Sequence, residues 1–306
     1  MVDLNHTAVL GAGVIGASWT ALFLAAGRSV AVFDVAGDAE KTVRAYVKKA
    51  WPTLTELAMT DRGNPDALTF YPTPSQAIER AAFVQENVPE QLPVKHALYA
   101  EIEEALDSDA VIASSASGLT LSEMQAGFRD PSRLILGHPF NPPHLIPLVE
   151  VMGNDRTADG VVEAAERFYE DVGKVTIRVN KEVAGHVANR LQAAIWREAL
   201  HLINEGVASV GDVDKAVSAG PGLRWAAMGP TTLYHLAAGE QGISAFCDRY
   251  TESFHRWWDD LGDPRIDDAL RKKLIDGVIE ATGGQPTSNL ASERDAMLVK
   301  LLKAKA

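Results

Sequence analysis

The amino-acid sequence predicts an α/β fold with a Rossmann-type, doubly wound and mostly parallel sheet, followed by a smaller all-helical domain. Up to Val179, short apolar runs alternate with segments of helical periodicity, which is typical of a parallel sheet with helices on both faces. After Val179, helical patterns continue without any convincing strand. The chain has 306 residues, whereas single hydrophobic cores stop growing near about 250–300 residues. We therefore expect two domains, at residues 1–182 and 183–306.

The first domain opens with a strand, a glycine-rich turn, a helix and a second strand. Thr7–Leu10 is a short apolar run that ends in glycines, and a helical pattern follows from Val14 to Phe23. Val30–Phe33 is a second apolar run, and this order is that of a βαβ unit. The other predicted elements of this domain are the helix Pro93–Leu106 and the strands Phe83–Gln85, Val111–Ala113, Leu134–Leu136 and Leu148–Val151.

The sequence of the second domain predicts helices only. Apolar residues recur near the helical period throughout Val183–Ile203, which predicts one long helix. Ile266–Ile275 and Ser292–Leu302 predict polar, amphipathic helices. The sequence contains no internal repeat, low-complexity tract or long Gly/Ser linker. The change of character near residues 180–184 is therefore the expected domain junction.

An acidic net charge and a single cysteine narrow the possible classes of function. Asp and Glu number 41 against 29 Lys and Arg, which gives a net charge of −12. Such a surface repels phosphate backbones, and the longest basic run is only Arg271–Lys273, so nucleic-acid binding is not expected. Cys247 is the single cysteine, so neither an intramolecular disulfide nor a cysteine-based metal cluster can form. Residues 1–6 carry no apolar run of signal-peptide length, and no segment is apolar enough to span a bilayer, which predicts a cytoplasmic protein.

The first glycine-rich turn matches the pattern Gly-x-Gly-x-x-Gly of dinucleotide-binding folds. The first glycine permits a tight turn, the second lets the backbone approach a pyrophosphate, and the third lets the helix pack closely on the strand. The helix N-terminus also offers free N–H groups to phosphate oxygens. The alternative is a glycine-rich turn without a ligand, but the strand before it and the helix after it favour cofactor binding. The predicted phosphate-binding residues are Gly11, Gly13, Val14, Ile15 and Gly16.

Asp34, at the end of the second strand, predicts which dinucleotide binds. A carboxylate at this position accepts hydrogen bonds from the hydroxyl groups of the adenosine ribose. The next residues, Val35–Gly37, include no Arg or Lys that would hold a 2′-phosphate. The sequence therefore predicts NAD rather than NADP as the cofactor. The alternative for Asp34 is a solvated turn residue.

His138 and Glu150 are candidates for a catalytic pair. His138 follows a predicted strand, Glu150 lies on the next one, and three prolines stiffen the connector, so the two side chains can face each other. Oxidation of an alcohol requires removal of the hydroxyl proton, and an imidazole, which titrates close to neutral pH, suits this task. A buried carboxylate orients the ring and stabilises the imidazolium that forms. The alternative is a structural histidine. No metal site is predicted, because His138 and His144 lack further ligands that would complete a set.

At these residues the chain resembles the L-3-hydroxyacyl-CoA dehydrogenase family, over nearly its whole length. The resemblance implies that His138 is the catalytic base, although Pro139 stands between it and Phe140, and that Glu150 is its partner. It further implies that Ser117 contacts the substrate oxygen. The segments that carry the resemblance are Gly11–Gly16, Glu86–Glu90 with Lys95, Ser114–Leu119, His138–Pro142, Leu148–Val151 and Gly185–Arg190.

Each residue carried over from the family also has a simpler explanation. Ser117 can be a plain turn serine. Asn189 matches the catalytic asparagine, and we place it in a helix interior, where asparagine is disfavoured; a cap or a core hydrogen bond can also explain it. The resemblance places Glu90 and Lys95 near the cofactor, where Lys95 can bridge the cofactor and Glu90 or be a solvated lysine. Asn141 can hold the nicotinamide end of NAD or fix the turn.

Two segments depart from the usual pattern of the family. The Pro-Gly-Phe that normally precedes the helix asparagine is Ala184–His186 here. The segment Gly220–Pro230 contains an Arg-Trp pair. In this it resembles the branch of the family that includes L-carnitine dehydrogenase, L-gulonate 3-dehydrogenase and lambda-crystallin. Arg224 can hold a substrate carboxylate, and Trp225 can pack on an alkyl chain or a quaternary ammonium. The alternative is that both are core or interface residues of the helical domain.

The sequence therefore predicts a NAD-dependent dehydrogenase that oxidises a small 3-hydroxy acid, carnitine-like or gulonate-like, to its 3-keto acid. We expect the substrate in a cleft between the domains, and the resemblance implies a homodimer formed through the helical domain. One alternative is a short-chain 3-hydroxyacyl-CoA dehydrogenase. The other is a non-catalytic, crystallin-like NAD-binding protein, against which the intact set His138, Glu150, Ser117 and Asn189 argues.

Overall fold

The computed structural model describes residues 6–305. The segment 1–5, for which no signal peptide is predicted, lies outside the described residues. The chain divides into two compact units, Met1–Ala188 and Asn189–Ala306. The boundary expected from the sequence, after residue 182, falls slightly before this division.

The first unit is built on one eight-stranded sheet with the spatial order β3-β2-β1-β4-β5-β6-β7-β8. Every neighbouring pair is parallel except β6 with β7. The order reverses between β1 and β4, and open α/β sheets bind ligands at the carboxyl ends of the strands at such a point. The strands are β1 (His6–Leu10), β2 (Ser29–Phe33), β3 (Leu68–Phe70), β4 (Phe83–Glu86), β5 (Val111–Ser114), β6 (Leu134–Pro139), β7 (Leu148–Met152) and β8 (Val175–Arg178).

Helices cover both faces of this sheet, because successive strand side chains point to opposite faces. In β1, Val9 packs into one apolar cluster with Trp19 and Phe168, whereas Leu10 packs into a second cluster with Tyr99. The helices of the first unit are α1 (Val14–Ala25), α2 (Ala39–Glu56), α3 (Pro74–Ile78), α4 (Leu92–Ile102), α5 (Leu121–Gln125) and α6 (Val161–Asp171).

The strands β3 and β8 are absent from the sequence-based assignment. Both lie at the edges of the sheet, and both are short and only partly buried, so their apolar signal is weak. The predicted helix Pro93–Leu106 ends as an α-helix at Ile102 and continues as one 3-10 turn, Glu103–Ala105.

All regular elements that the structure describes in the second unit are helices. The predicted helix from Val183 begins later, at Ala188, because Gly185 and His186 adopt left-handed backbone angles, with φ of 74° and 48°. The helix predicted at Ile266–Ile275 begins at Asp268 and ends at Thr282, and the one predicted at Ser292–Leu302 is longer at both ends. The helices of this unit are α7 (Ala188–Asn204), α8 (Val210–Ala219), α9 (Pro221–Ala227), α10 (Pro230–Ala237), α11 (Gly242–Asp260), α12 (Asp268–Thr282) and α13 (Thr287–Lys305).

Residues 6–305 contain neither a helix fit to span a bilayer nor a cluster of metal-ligating side chains. None of the helices in residues 6–305 combines the length and the apolar character that crossing a membrane requires. Within the same residues, no group of three or more His, Cys, Asp or Glu side chains is placed to hold a metal ion.

Candidate active site

The glycine-rich turn lies between β1 and α1, at the point where the strand order reverses. Gly11 has a φ of 86°, and a side chain there would approach the backbone of Asn87 and Val88 to 2.7 Å. A Cβ on Gly16 would lie 1.9 Å from the carbonyl oxygen of Gly11, so only glycine permits this packing. A Cβ on Gly13 would meet nothing within 4 Å. The turn is therefore closed on the protein side and open where a pyrophosphate would lie.

The N-terminus of α1 supplies donors at this open side. Gly13 is the N-cap residue and provides no side-chain cap, so the first amides of the helix, which include those of Val14 and Ile15, are available to a ligand. Val14 is 65% exposed, which is unusual for a valine and places it on the open side of the turn. The open side of this turn can therefore accommodate the phosphates of a dinucleotide.

Asp34 follows β2 and faces the same turn. Its Oδ2 accepts a hydrogen bond from the Ala12 amide at 2.5 Å, and its Oδ1 accepts one from the Ala36 amide at 2.8 Å. These bonds hold the carboxylate beside the glycine-rich turn and leave lone pairs for the hydroxyls of a ribose. The first two cations along the chain after Asp34 are Lys41 and Arg44. Arg44 pairs with Glu40 at 2.7 Å. No cation among Val35–Gly37 stands ready for a 2′-phosphate, so the site fits NAD better than NADP.

His138 and Glu150 are direct partners in the single antiparallel pair of the sheet. The connector between β6 and β7 spans residues 140–147, which is too short for a parallel return. The register aligns His138 with Glu150, and the imidazole Nδ1 lies 2.8 Å from Glu150 Oε2. His138 is 6% exposed and Glu150 is fully buried. Among the residues that the structure describes, His138 Nε2 has no hydrogen-bond partner, so this nitrogen is the one available to a substrate.

Two backbone amides hold the other oxygen of Glu150. The amides of Val187 and Ala188 both donate to Oε1 at 2.9 Å. Burial raises the pKa of the Glu150 carboxyl, but the hydrogen bonds from His138 and from these amides outweigh burial and hold the pKa below its ordinary value of 4.5. Glu150 is therefore ionised at neutral pH, and a carboxylate only accepts hydrogen bonds, so Nδ1 of His138 carries the proton.

This lowered pKa predicts how stability depends on pH. A carboxyl whose pKa is lower in the folded chain stabilises it above its unfolded pKa, and this contribution disappears as pH falls through the folded pKa. We therefore expect Glu150→Gln to lose less stability than the unmodified chain when the pH falls below about 4.5. Urea unfolding midpoints between pH 3.5 and 6 measure this difference, and parallel pH curves for the two proteins would contradict it.

Glu90 lies among donors of the loop after β5, which carries Ser117. Its Oε1 accepts from the amides of Ser117 at 2.8 Å and Leu119 at 3.0 Å and from that of Gly118, and its Oε2 accepts from the Ser117 hydroxyl at 3.0 Å. Burial raises the pKa of Glu90, but these hydrogen bonds together hold it below its ordinary value. The structure therefore links Ser117 to Glu90, a contact that the sequence did not predict.

Lys95 requires a correction. Its side chain is 1% exposed, and its Nζ lies 2.7 Å from Glu86 Oε1 and 2.8 Å from Oε2, so it neither bridges to Glu90 nor behaves as a solvated lysine. The hydroxyls of Tyr99 and Ser114 also donate to Glu86, each at 2.7 Å. Lys95 thus belongs to a buried network beneath the loops that follow β4 and β5, rather than to the surface that would face the cofactor.

The connector between β6 and β7 is fastened at two points. The buried ammonium of Lys174 donates to the carbonyl of Ile146 at 2.7 Å and to that of Pro143. On the other side, the amide of His144 donates to Ser18 Oγ of α1 at 2.9 Å. Asn141, predicted to hold the nicotinamide or the turn, precedes Pro142 through a cis peptide bond and is exposed. Helix α1 and the connector that follows His138 are therefore tied together.

The remaining predicted residues lie in the second unit. Asn189 is the second residue of α7, so it occupies the first turn of the helix and not its interior, and the helix-interior penalty does not apply to it. Arg224 and Trp225 lie on α9, where Arg224 is exposed and Trp225 is partly buried. Trp225 is thus not a core residue of this unit.

Several residues of the site were not singled out from the sequence. Glu86 and Lys174 are buried charged residues. In the sequence, a charge that follows an apolar run is only a weak indication of such burial. The sequence does not show that the amides of Val187 and Ala188 bind Glu150, because every residue except proline has a backbone N–H. His186 was noted only as a departure from the family pattern, yet its ring lies 5.2 Å from that of His138.

The chain matches two family profiles in succession. The profile described as 3-hydroxyacyl-CoA dehydrogenase, NAD binding domain, matches residues 6–183. The profile described as 3-hydroxyacyl-CoA dehydrogenase, C-terminal domain, matches residues 185–280. Together they cover most of the chain.

Curated relatives and solved structures agree with these profiles. The chain is 46% identical to the L-carnitine dehydrogenase of Streptomyces coelicolor, over 99% of this chain and 95% of the relative. It is 42% identical to the L-carnitine dehydrogenase of Burkholderia mallei, over 99% of this chain and 95% of the relative. Among solved structures it is similar to a NAD-dependent 5-formyl-3-hydroxy-2-methylpyridine 4-carboxylic acid 5-dehydrogenase, with a TM-score of 0.83, 28% identity and 97% coverage of both chains.

Proposed function

The chain belongs to the 3-hydroxyacyl-CoA dehydrogenase family and is a NAD-dependent dehydrogenase of 3-hydroxy substrates, and we propose that its substrate is carnitine-like. By this we mean a small 3-hydroxy acid that carries a quaternary ammonium. The observation that carries the reaction is the buried His138–Glu150 pair, whose Nδ1–Oε2 bond leaves His138 Nε2 free to take a proton. The full-length similarity to L-carnitine dehydrogenases supports the substrate class.

The proposed reaction divides into a hydride transfer and a proton transfer. The glycine-rich turn and Asp34 would hold NAD, which would supply the hydride acceptor for the carbon that bears the hydroxyl. His138 Nε2 accepts the hydroxyl proton, and Glu150 stabilises the imidazolium that results. Ser117, whose hydroxyl lies 3.0 Å from Glu90 Oε2, is proposed to contact the substrate oxygen, and Asn189 is proposed to assist on α7.

Four candidate substrates separate this proposal from its alternatives. Formation of NADH is followed by absorbance with carnitine, gulonate, 3-hydroxybutyrate and 3-hydroxybutyryl-CoA in parallel. We expect turnover with carnitine. Turnover of the thioester alone would establish a short-chain acyl-CoA enzyme instead, and no turnover of any compound, with NAD still bound, would favour a non-catalytic protein.

Asp34 is the proposed partner of the adenosine ribose. We expect Asp34→Ala to raise the KM for NAD by roughly 10- to 100-fold, because hydrogen bonds to a charged group contribute about 1.5–3 kcal/mol. The KM for the hydroxy acid should change little. Asp38→Ala is a matched control, since Asp38 is an exposed carboxylate nearby whose side chain makes no helix cap. An unchanged KM for NAD would remove Asp34 from the cofactor site.

Arg224 is the proposed partner of the substrate carboxylate, with Trp225 packing against the ammonium end. We expect Arg224→Met to raise the KM for the hydroxy acid by about 10-fold or more and to leave the KM for NAD unchanged, since charge-assisted pairs are the stronger hydrogen bonds. Arg271→Met, on the exposed surface of α12, is the control. Equal KM values in both variants would assign Arg224 to an ordinary helix surface.

We further propose that the enzyme is a cytoplasmic homodimer that assembles through the helical unit. Several large apolar side chains of this unit are exposed in the single chain; Trp257 is 58% exposed and Trp258 is 60% exposed. Side chains of this size at an exposed helix end are typical of protein interfaces. Light scattering coupled to size exclusion measures the mass, and a monomer of 32.9 kDa at micromolar concentration would contradict the proposal.

A further inference from the structure

We propose that His186 is a positioning residue for the catalytic pair: its ring holds the ring of His138, and its backbone aims two amides at Glu150. The proposal rests on His138 acting as the base of the dehydrogenase. It concerns a position at which this chain departs from the Pro-Gly-Phe typical of the family.

The side chain of His186 is enclosed between His138 and the loop that leads to Ser117. His186 is 2% exposed, and its ring centroid lies 5.2 Å from that of His138 at an interplanar angle of 57°. Its Nε2 lies 3.3 Å from the carbonyl oxygen of Ala116, the residue before Ser117. Because a carbonyl only accepts hydrogen bonds, Nε2 carries the proton, and Nδ1 carries the lone pair.

A histidine at this position destabilises the fold in a way that a phenylalanine would not. In the described part of the chain, His186 Nδ1 is buried without a hydrogen-bond partner. A buried acceptor that lost its water and gained no partner destabilises the fold, and a phenylalanine at this position would avoid that cost. A phenylalanine, however, cannot donate to Ala116. The imidazole therefore provides a tie to the loop of Ser117 that the usual residue of the family cannot make.

The backbone of His186 provides a second tie. Its φ of 48° and the φ of 74° at Gly185 are left-handed, and His is among the residues that tolerate this region better than most. Successive amides that follow such residues can converge on one anion. Here the amides of Val187 and Ala188 both reach Glu150 Oε1 at 2.9 Å. The turn at His186 is thus what brings two donors to the partner of the base.

The charges around His186 agree with a neutral ring. Burial lowers its pKa, the nearby His138 lowers it further, and the Ala116 carbonyl with the carboxylates of Glu150 and Glu90 only partly offsets this, so the pKa lies below its ordinary value of 6.5. His186 therefore stays neutral when His138 gains the substrate proton. The imidazolium at His138 then meets a packed neutral ring and no second positive charge.

Two variants separate the hydrogen bond to Ala116 from the ring contact with His138. His186→Phe keeps an aromatic ring but loses the donor to Ala116. We expect it to lower kcat by roughly 10-fold, the effect of one lost hydrogen bond, with KM values within about twofold. His186→Gly keeps the backbone conformation but leaves the His138 ring without its neighbour. We expect it to lower kcat by about 100-fold, which is typical of a catalytic group that shifts slightly from its position.

A proton NMR measurement reports on the pair without any substrate. The Nδ1–H of His138, which donates to Glu150, gives a downfield signal that weakens when the hydrogen bond loosens and its proton exchanges with water. We expect this signal to weaken from the unmodified enzyme to His186→Phe and further to His186→Gly. Because no substrate is present, this readout is independent of whether the carnitine-like proposal holds.

His96→Phe is the matched control, since it also removes a histidine bond to a carbonyl, that of Glu123 at 2.8 Å, away from the pair. It should leave both kcat and the downfield signal unchanged. If the His186 variants lose thermal stability while their signal and the kcat of the folded enzyme match the unmodified protein, His186 is only structural and the proposal is overturned. Should His186→Gly not fold, His186→Asn, which also tolerates the left-handed region, replaces it with the same expectations.

Discussion

Replacing His138 by alanine is expected to lower kcat for oxidation by a factor of about 10²–10⁴, the usual contribution of a positioned general base. Among the described residues, the variant has no other group in hydrogen-bond contact with Glu150 Oε2, and it has no nitrogen at the position of Nε2. Binding of NAD should persist, because the described hydrogen bonds of Asp34 and the close approaches at the glycine-rich turn do not involve the imidazole.

Steady-state kinetics together with NAD titration by fluorescence measure this effect. The control is His96→Ala, since His96 is a partly exposed histidine away from the pair. A kcat for His138→Ala within a few-fold of the unmodified enzyme would exclude His138 as the base. Loss of NAD binding in the same variant would instead indicate a disordered site, and His138→Asn, which retains a polar side chain of similar reach, then gives the kinetic result.

Replacing Lys95 by methionine is expected to lower the free energy of unfolding by about 3–5 kcal/mol, because one partner of a buried ion pair would remain without its counter-charge. Lys95 and Glu86 are 1% and 0% exposed, and their atoms lie 2.7 Å apart. The Glu86 carboxylate would keep the hydroxyls of Tyr99 and Ser114 but lose the cation. Tyr99 is fully buried, so water cannot readily replace the ammonium.

A second substitution shows whether the uncompensated charge causes the loss. Glu86→Gln combined with Lys95→Met removes both charges, and we expect the double variant to recover a large part of the lost stability, since a neutral buried amide costs less than a buried carboxylate. Urea unfolding measures both proteins. If Lys95→Met alone loses less than about 1 kcal/mol, the pair is not the buried, dry network that its geometry indicates.

The sequence predicted the elements whose signal is local. The βαβ unit of Thr7–Phe33 is continuous in the chain, and its three glycines follow one another at the fixed spacing of a dinucleotide-binding turn, so the sequence alone predicts it. The same holds for the strand pair that carries His138 and Glu150, because a short proline-rich connector allows only an antiparallel return. The short edge strands β3 and β8 escaped prediction, since partial burial leaves them without a continuous apolar run.

The sequence alone did not predict which distant segments of the chain would contact each other. The sequence allows Lys95 either to bridge the cofactor and Glu90 or to be a solvated lysine, whereas its partner in the structure is Glu86. Which carboxylate lies within reach depends on how β4, α4 and β5 pack together. The Glu90 bond to Ser117 and the bond from His186 to Ala116 likewise join segments far apart in the chain.

By itself, then, the sequence determined the fold class, the glycine-rich turn and the pairing of His138 with Glu150, since these depend on residue types at fixed spacing. Only the tertiary structure decided what holds that pair. The amides of Val187 and Ala188 reach Glu150 because the backbone at Gly185 and His186 turns left-handed, and the ring of His186 rests against His138 because the sheet and this turn meet there. Backbone donors and ring contacts carry no residue-type signal, so they become visible only when the chain has folded.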